Sequence, residues 1–131
     1  DRVGLVVPNG HPLANRGELY LEAALDYDLL GYFPRHSLDQ FLDYVGQTVT
    51  RPPTVKLQVS NFETRCRMIR EGLGIGIVPE RIAANYLGSM GLVLLRLQDE
   101  WAERHFYLAV RDLDSMSPAV SDLMQFLIHP A

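Results

Sequence analysis

The chain has 131 residues, 47% of them apolar, and a formal net charge of −4, which supports one ordinary core or two small ones in a globular protein. Its arginines are spread along the sequence without a basic stripe, which excludes these residues as a direct grip on a nucleic-acid backbone. No apolar run approaches the roughly 20 residues that span a bilayer, and the single Cys66 excludes an internal disulfide and fits a reducing compartment.

In chain order, the first expected element is a strand from Arg2 to Pro8, followed by the turn Asn9-Gly10-His11-Pro12. Asp1 stands directly before it with no initiator methionine and no lead-in, so the chain is expected to be part of something larger. Leu19 to Asp26 reads as a short helical stretch entering a strand at Asp28 to Phe33, which Pro34 ends. Ser37 and Gln40 have capping-box spacing, and Leu38, Phe41, Leu42 and Val45 form one helix face running to about Gly46. Pro52-Pro53 breaks the pattern. Val55, Leu57 and Val59 then alternate with Lys56 and Gln58 as a strand.

The next helix rests on Phe62, Cys66, Ile69 and Leu73, spaced by four, three and four residues. Cys66 on this face reads as a core residue. Ser60 and Glu63 repeat the capping box, so the helix is expected to start near Ser60. Gly72 or Gly74 can take the positive φ that ends it, and Ile75, Ile77 and Val78 suit a strand covered on both faces, stopped by Pro79. Glycine alternation in Gly72-Leu73-Gly74-Ile75-Gly76 raises the idea of a phosphate loop, but that motif needs a strand before it and a helix after it, and here the order is inverted. Pro79 to Leu87 is expected as a short helix stopped by Gly88, and Leu92 to Leu97 as an apolar strand.

From Asp28 to Leu97 strands and helices alternate, which predicts an α/β fold with a small doubly wound sheet. Residues 28–100 are expected to form a complete subdomain. His105 to Val110 reads as a further strand, and Ser117-Pro118 as an N-cap and N1 proline opening a helix with Val120, Leu123, Met124 and Leu127 inward. Residues 101–131 are expected to join residues 1–27 in a partial second subdomain, with hinge crossings near Tyr27 and Trp101.

Chemistry is sparse along the chain. His11, His36, His105 and His129 show no paired ligand spacing, so no metal is expected. No serine sits in a nucleophile elbow; Gly88-Ser89-Met90-Gly91 has the wrong spacing. Trp101, Phe106 and Tyr107 read as packing residues rather than base-stacking ones. An enzyme would need an acid or nucleophile at the strand ends, where only Glu80 qualifies, and its position suits first-turn helix stabilisation. No cofactor and no catalytic residue is expected.

Four blocks carry a family resemblance: Leu5-Val6-Val7-Pro8 with His11-Pro12-Leu13-Ala14; Ser60-Asn61-Phe62-Glu63-Thr64; Arg70 through Pro79; and the tail from Trp101 through Val110-Arg111-Asp112 to the Ser117 helix. In these the chain resembles the effector-binding domain of LysR-type transcriptional regulators over nearly its whole length. The resemblance implies Rossmann-like subdomains of the type 2 periplasmic-binding-protein kind, the second complete and the first partial. It implies a small-molecule effector between them, a homodimer or homotetramer, and a cytoplasmic protein without a membrane partner. Promoter DNA would be bound only through an N-terminal winged helix-turn-helix that this sequence lacks.

Ligands in open α/β sheets sit beyond the carboxyl ends of strands, where helix N-termini present unpaired amides. The expected ligand-binding residues are therefore Phe33, Pro34 and Arg35 at the first such end, Ser60, Asn61 and Phe62 at the second, and Pro79 and Arg81 at the third. Arg35 could pair bidentately with an effector carboxylate, and Ser60 and Asn61 offer donors, which favours an organic anion. Plainer readings stand beside these: Ser60 as a helix cap, Arg35 and Arg81 as solvated, His11 as a turn residue. A solute-binding protein of a transport system is the alternative function.

Overall fold

The computed structural model describes residues 1–31, 45–105, 109, 112 and 114–129. Six strands, β1 (Val3–Pro8), β2 (Glu18–Leu19), β3 (Leu29–Gly31), β4 (Val55–Gln58), β5 (Ile75–Pro79) and β6 (Leu92–Leu97), form one sheet in the order β2-β6-β1-β5-β3-β4. Strand β1 is antiparallel to both neighbours, while β2 with β6, β5 with β3 and β3 with β4 are parallel. Five strands therefore share one direction and end at one edge.

Residues 3–8, expected to share a unit with residues 101–131, form β1 between β5 and β6, with Leu5 opposite Ile77 on one side and Leu95 on the other. The reason is its composition. Leu5, Val6 and Val7 are all fully buried, so consecutive side chains pack on both faces of the sheet. Leu5 and Val7 join Leu19, Leu21, Leu25, Leu29, Leu95 and Leu97 on one side; Val6 joins Leu30, Cys66, Ile69, Val78 and Leu92 on the other. Trp101 packs against the first group. The chain also stays with the sheet at Tyr27, where the 3-10 turn Leu21–Ala24 leads into β3.

The segments that lie side by side are Asp1-Arg2 and Glu103-Arg104. Arg2 and Glu103 form an antiparallel bridge, the Arg104 amide donates to the Asp1 carbonyl at 2.7 Å, and the Arg2 guanidinium donates to the Leu97 carbonyl at 2.8 Å.

Helix α1 (Phe62–Arg70) connects β4 to β5. Its cap is Asn61, not Ser60: the Asn61 side chain accepts from the Thr64 amide at 2.9 Å, and Glu63 pairs with Arg67 at 2.8 Å instead of reaching back. Cys66 and Ile69 are buried as expected, and burial raises the Cys66 thiol pKa, which disfavours the reactive thiolate. Leu73 instead lies in the turn after the helix and is exposed. Gly72 takes the positive φ.

Two short helices, α2 (Glu80–Ala83) and α3 (Leu87–Met90), replace the single one expected. Gly88 sits inside α3, and Gly91, with φ 62, ends it in the left-handed conformation. The helix expected from Ser37 to about Gly46 lies outside the described residues as far as residue 44; Val45, fully buried, and Gly46 have helical backbone. The expected strand around Phe106 and Tyr107 also lies largely outside them. Helix α4 (Pro118–Ile128) has the expected Ser117 cap, whose hydroxyl accepts from the Val120 amide at 3.3 Å. Its expected inward face is not buried: Val120, Leu123 and Leu127 are exposed, because no described residue packs over them. Among the described residues no helix is long and apolar enough to cross a membrane.

Candidate functional site

The shared edge of the parallel strands is where the candidate site forms. Gly31 at the end of β3 is level with Gln58 at the end of β4, and Leu30 with Gly76 of β5, so β3 and β4 finish together while β5 runs on to Pro79. Beyond β4 come Ser60 and Asn61, both exposed, then half-buried Phe62 in the first turn of α1. Because Asn61 accepts the Thr64 amide, the Ser60 hydroxyl is released from capping. Beyond β5, Pro79 is buried and paired with Val3, and the Glu80 amide donates to the Arg2 carbonyl at 2.9 Å. Pro79 thus shapes the edge from beneath. Arg81 is exposed in α2. Phe33, Pro34 and Arg35, expected after β3, lie outside the described residues.

Ser60, Asn61 and Phe62 therefore form one group, and Pro79 with Arg81 a second, separated in the sheet by β3. A residue missed in the sequence ties them. Arg65, 3% exposed, donates from Nη2 to the Val59 carbonyl and from Nη1 to the Ile77 carbonyl at 3.1 Å. Its guanidinium carbon lies 4.9 Å from the centre of the Phe62 ring, a cation–π distance. Burial lowers its pKa, yet a guanidinium keeps its charge in a protein. The signal for it was available: Arg65 stands three residues after Phe62 and four before Ile69, on the apolar face.

Two of the clefts among the described residues lie apart from these two groups. One of about 410 Å³ lies at the same edge beside β6, lined by Arg2, Tyr20, Arg96, Asp99 and Glu103. Asp99 is buried there and accepts from the Leu21 amide at 2.9 Å, holding the 3-10 turn against the sheet. The other, of about 260 Å³, lies at the opposite edge and is lined by His11, Tyr27, Lys56 and Leu73 among others. His11 is thus away from the candidate site.

His11 packs edge-to-face on Tyr27 with ring centres 4.5 Å apart, and its Nδ1 accepts from the Leu13 amide at 3.1 Å. Burial lowers its pKa. For a base with a lowered pKa in the fold, the unfolded chain takes up the proton first, so stability is lost as pH falls through about 6.5. Urea unfolding between about pH 7.5 and pH 5.5 is expected to show this slope, and His11→Asn to flatten it.

Comparison with known proteins agrees with this architecture. The LysR substrate binding domain family model matches residues 1–129, and the chain belongs to that family. Its fold is similar to the regulatory domain of CcmR from Synechocystis in complex with 2-PG, with a TM-score of 0.72 at 17% identity, covering 97% of this chain and 61% of that one. It is also similar to the effector-binding domain of QuiR in complex with shikimate (TM-score 0.69, 20% identity, 95% of this chain and 58% of that one). The BenM effector-binding domain with its effector benzoate is a third relative (TM-score 0.63, 19% identity, 78% and 47%). The chain thus spans between 47% and 61% of these three structures' own lengths. No curated protein matches.

Proposed function

We propose that the chain is the ligand-sensing part of a LysR-type transcriptional regulator and binds a small organic anion at the edge formed by β3, β4 and β5. The observation that carries this reading is the Ser60-Asn61 turn at the mouth of α1, backed by the buried Arg65 cation, in a chain of this family. The ligand named for QuiR is shikimate and that for BenM is benzoate, both carboxylates. Family membership favours regulation over the transport alternative. In the whole protein, the effector would favour one arrangement of a cytoplasmic homodimer or homotetramer over another, through differential affinity, and so change how a winged helix-turn-helix holds promoter DNA. Phe33, Pro34, Arg35, Phe62 and Arg81 belong to the proposed contact set, with Pro79 supporting it.

A thermal-shift screen of small organic acids against the full-length regulator identifies the ligand, since binding to the native state raises the melting temperature. With that ligand, Ser60→Ala is expected to weaken binding about tenfold, the value of one hydrogen bond to a charged group. The unliganded melting temperature should stay the same, because Ser60 is exposed and outside the cap. An unchanged dissociation constant by calorimetry would remove Ser60 from the site.

A further inference from the structure

Arg65 is a buried cation for which no carboxylate lies within ion-pair reach among the described residues, and its Nε has no hydrogen-bond partner. Taking a charge out of water without an opposite charge is costly. Its two hydrogen bonds go to carbonyls, those of Val59 and Ile77, which immediately precede the Ser60 turn and the end of β5. Each carbonyl oxygen carries partial negative charge, and here a full positive charge lies against two of them. The same cation lies in α1 four residues after Asn61, with the Arg65 amide donating to the Asn61 carbonyl at 3.0 Å, so its field adds to that of the helix N-terminus.

We propose that Arg65 is the specificity-determining residue of this site: it fixes the spacing of the two turns across β3 and makes the rim electropositive, so that the effector presents an anionic group to Ser60-Asn61. This deepens the function proposed above and rests on that reading for the ligand, while the charge of the rim is measurable without any ligand.

The test uses two equivalent helix caps as probes in the full chain. Asn61 caps α1 and Ser117 caps α4, and each side chain accepts from the amide three residues on, at 2.9 and 3.3 Å. Asn61→Asp and Ser117→Asp place a carboxyl at each, and carbon-detected NMR titration reads its pKa. The carboxyl introduced at position 61 is expected to titrate about one unit below that at 117, the effect of a nearby opposite charge. Arg65→Gln, which keeps an amide donor and removes the charge, should erase most of that difference. Equal titration of the two probes overturns the proposal, as does a difference that survives Arg65→Gln. If Arg65→Gln does not fold, Arg65→Met, which removes the charge and keeps an unbranched stem, is read in its place. A screen that returns only neutral ligands counts against the proposed function, whereas equal probe titration counts against Arg65.

Discussion

Leu5→Ala is expected to destabilise the chain by about 3 to 5 kcal/mol, the range for a fully buried leucine whose surroundings cannot collapse into the space. Leu5 is completely enclosed, with Ile77 and Leu95 beside it in the ladder and the Leu19, Leu21 and Leu29 side chains in the same cluster. Backbone pairing on both sides holds β1 in place, so the void persists. Leu57→Ala is the control. Leu57 is exposed on strand β4, which among the described residues pairs only with β3, and its loss should cost less than about 0.5 kcal/mol. Urea unfolding curves compare the two directly. The result also discriminates between placements of the first strand: residues 3–8 as part of an incomplete second unit would leave Leu5 poorly covered, and the two variants would then be alike.

Gly74→Val is expected to cost about 3 kcal/mol through overpacking. A Cβ at this position would come within 2.8 Å of the Asp28 carbonyl oxygen and 3.0 Å of Leu30 Cγ. The first of these is backbone, and the same oxygen accepts the Ile75 amide at 3.0 Å, the bond that starts the pairing of β3 with β5. Room can be made only by parting the two strands. Valine is otherwise favourable in extended chain, so any loss measures space rather than propensity. Gly72→Ala separates the two uses of glycine in this turn: its φ is +80 with open space around the missing Cβ, and it should cost about 1 to 2 kcal/mol from conformation alone. Thermal unfolding of both variants, with the larger fall at Gly74, checks the assignment.

Much of the sheet was legible because strands of this kind are written as short apolar runs: Val3 to Val7, Ile75 to Val78 and Leu92 to Leu97 all form ladders. Strand order was not. Nothing local to Leu5-Val6-Val7 says that its neighbours come from residues 75–79 and 92–97 or that it runs against them, although burial of consecutive residues on both faces pointed to an interior position. The cap of α1 was misplaced by one residue for a related reason. Ser60 and Asn61 are both good caps, and spacing alone does not choose between them: the Val59 amide still donates to the Gly31 carbonyl, so the chain leaves the ladder only at Ser60 and Asn61 becomes the cap. For the candidate site, the order of elements located the edge, and the level ends of β3 and β4, with β5 running on beside them to Pro79, agree with it. Arg65 escaped because an arginine is habitually assigned to solvent, whatever face its spacing gives it.

The position of β1 also bears on how the chain reaches its native state. Residues 3–8 are made before the segments that flank them, Ile75–Pro79 and Leu92–Leu97, and roughly seventy to ninety residues of intervening chain must be gathered before either ladder can close. Neighbouring local turns cannot seed the middle of the sheet. Assembly is therefore expected to be slow for a protein of this size, with the nascent first strand dependent on late-arriving partners.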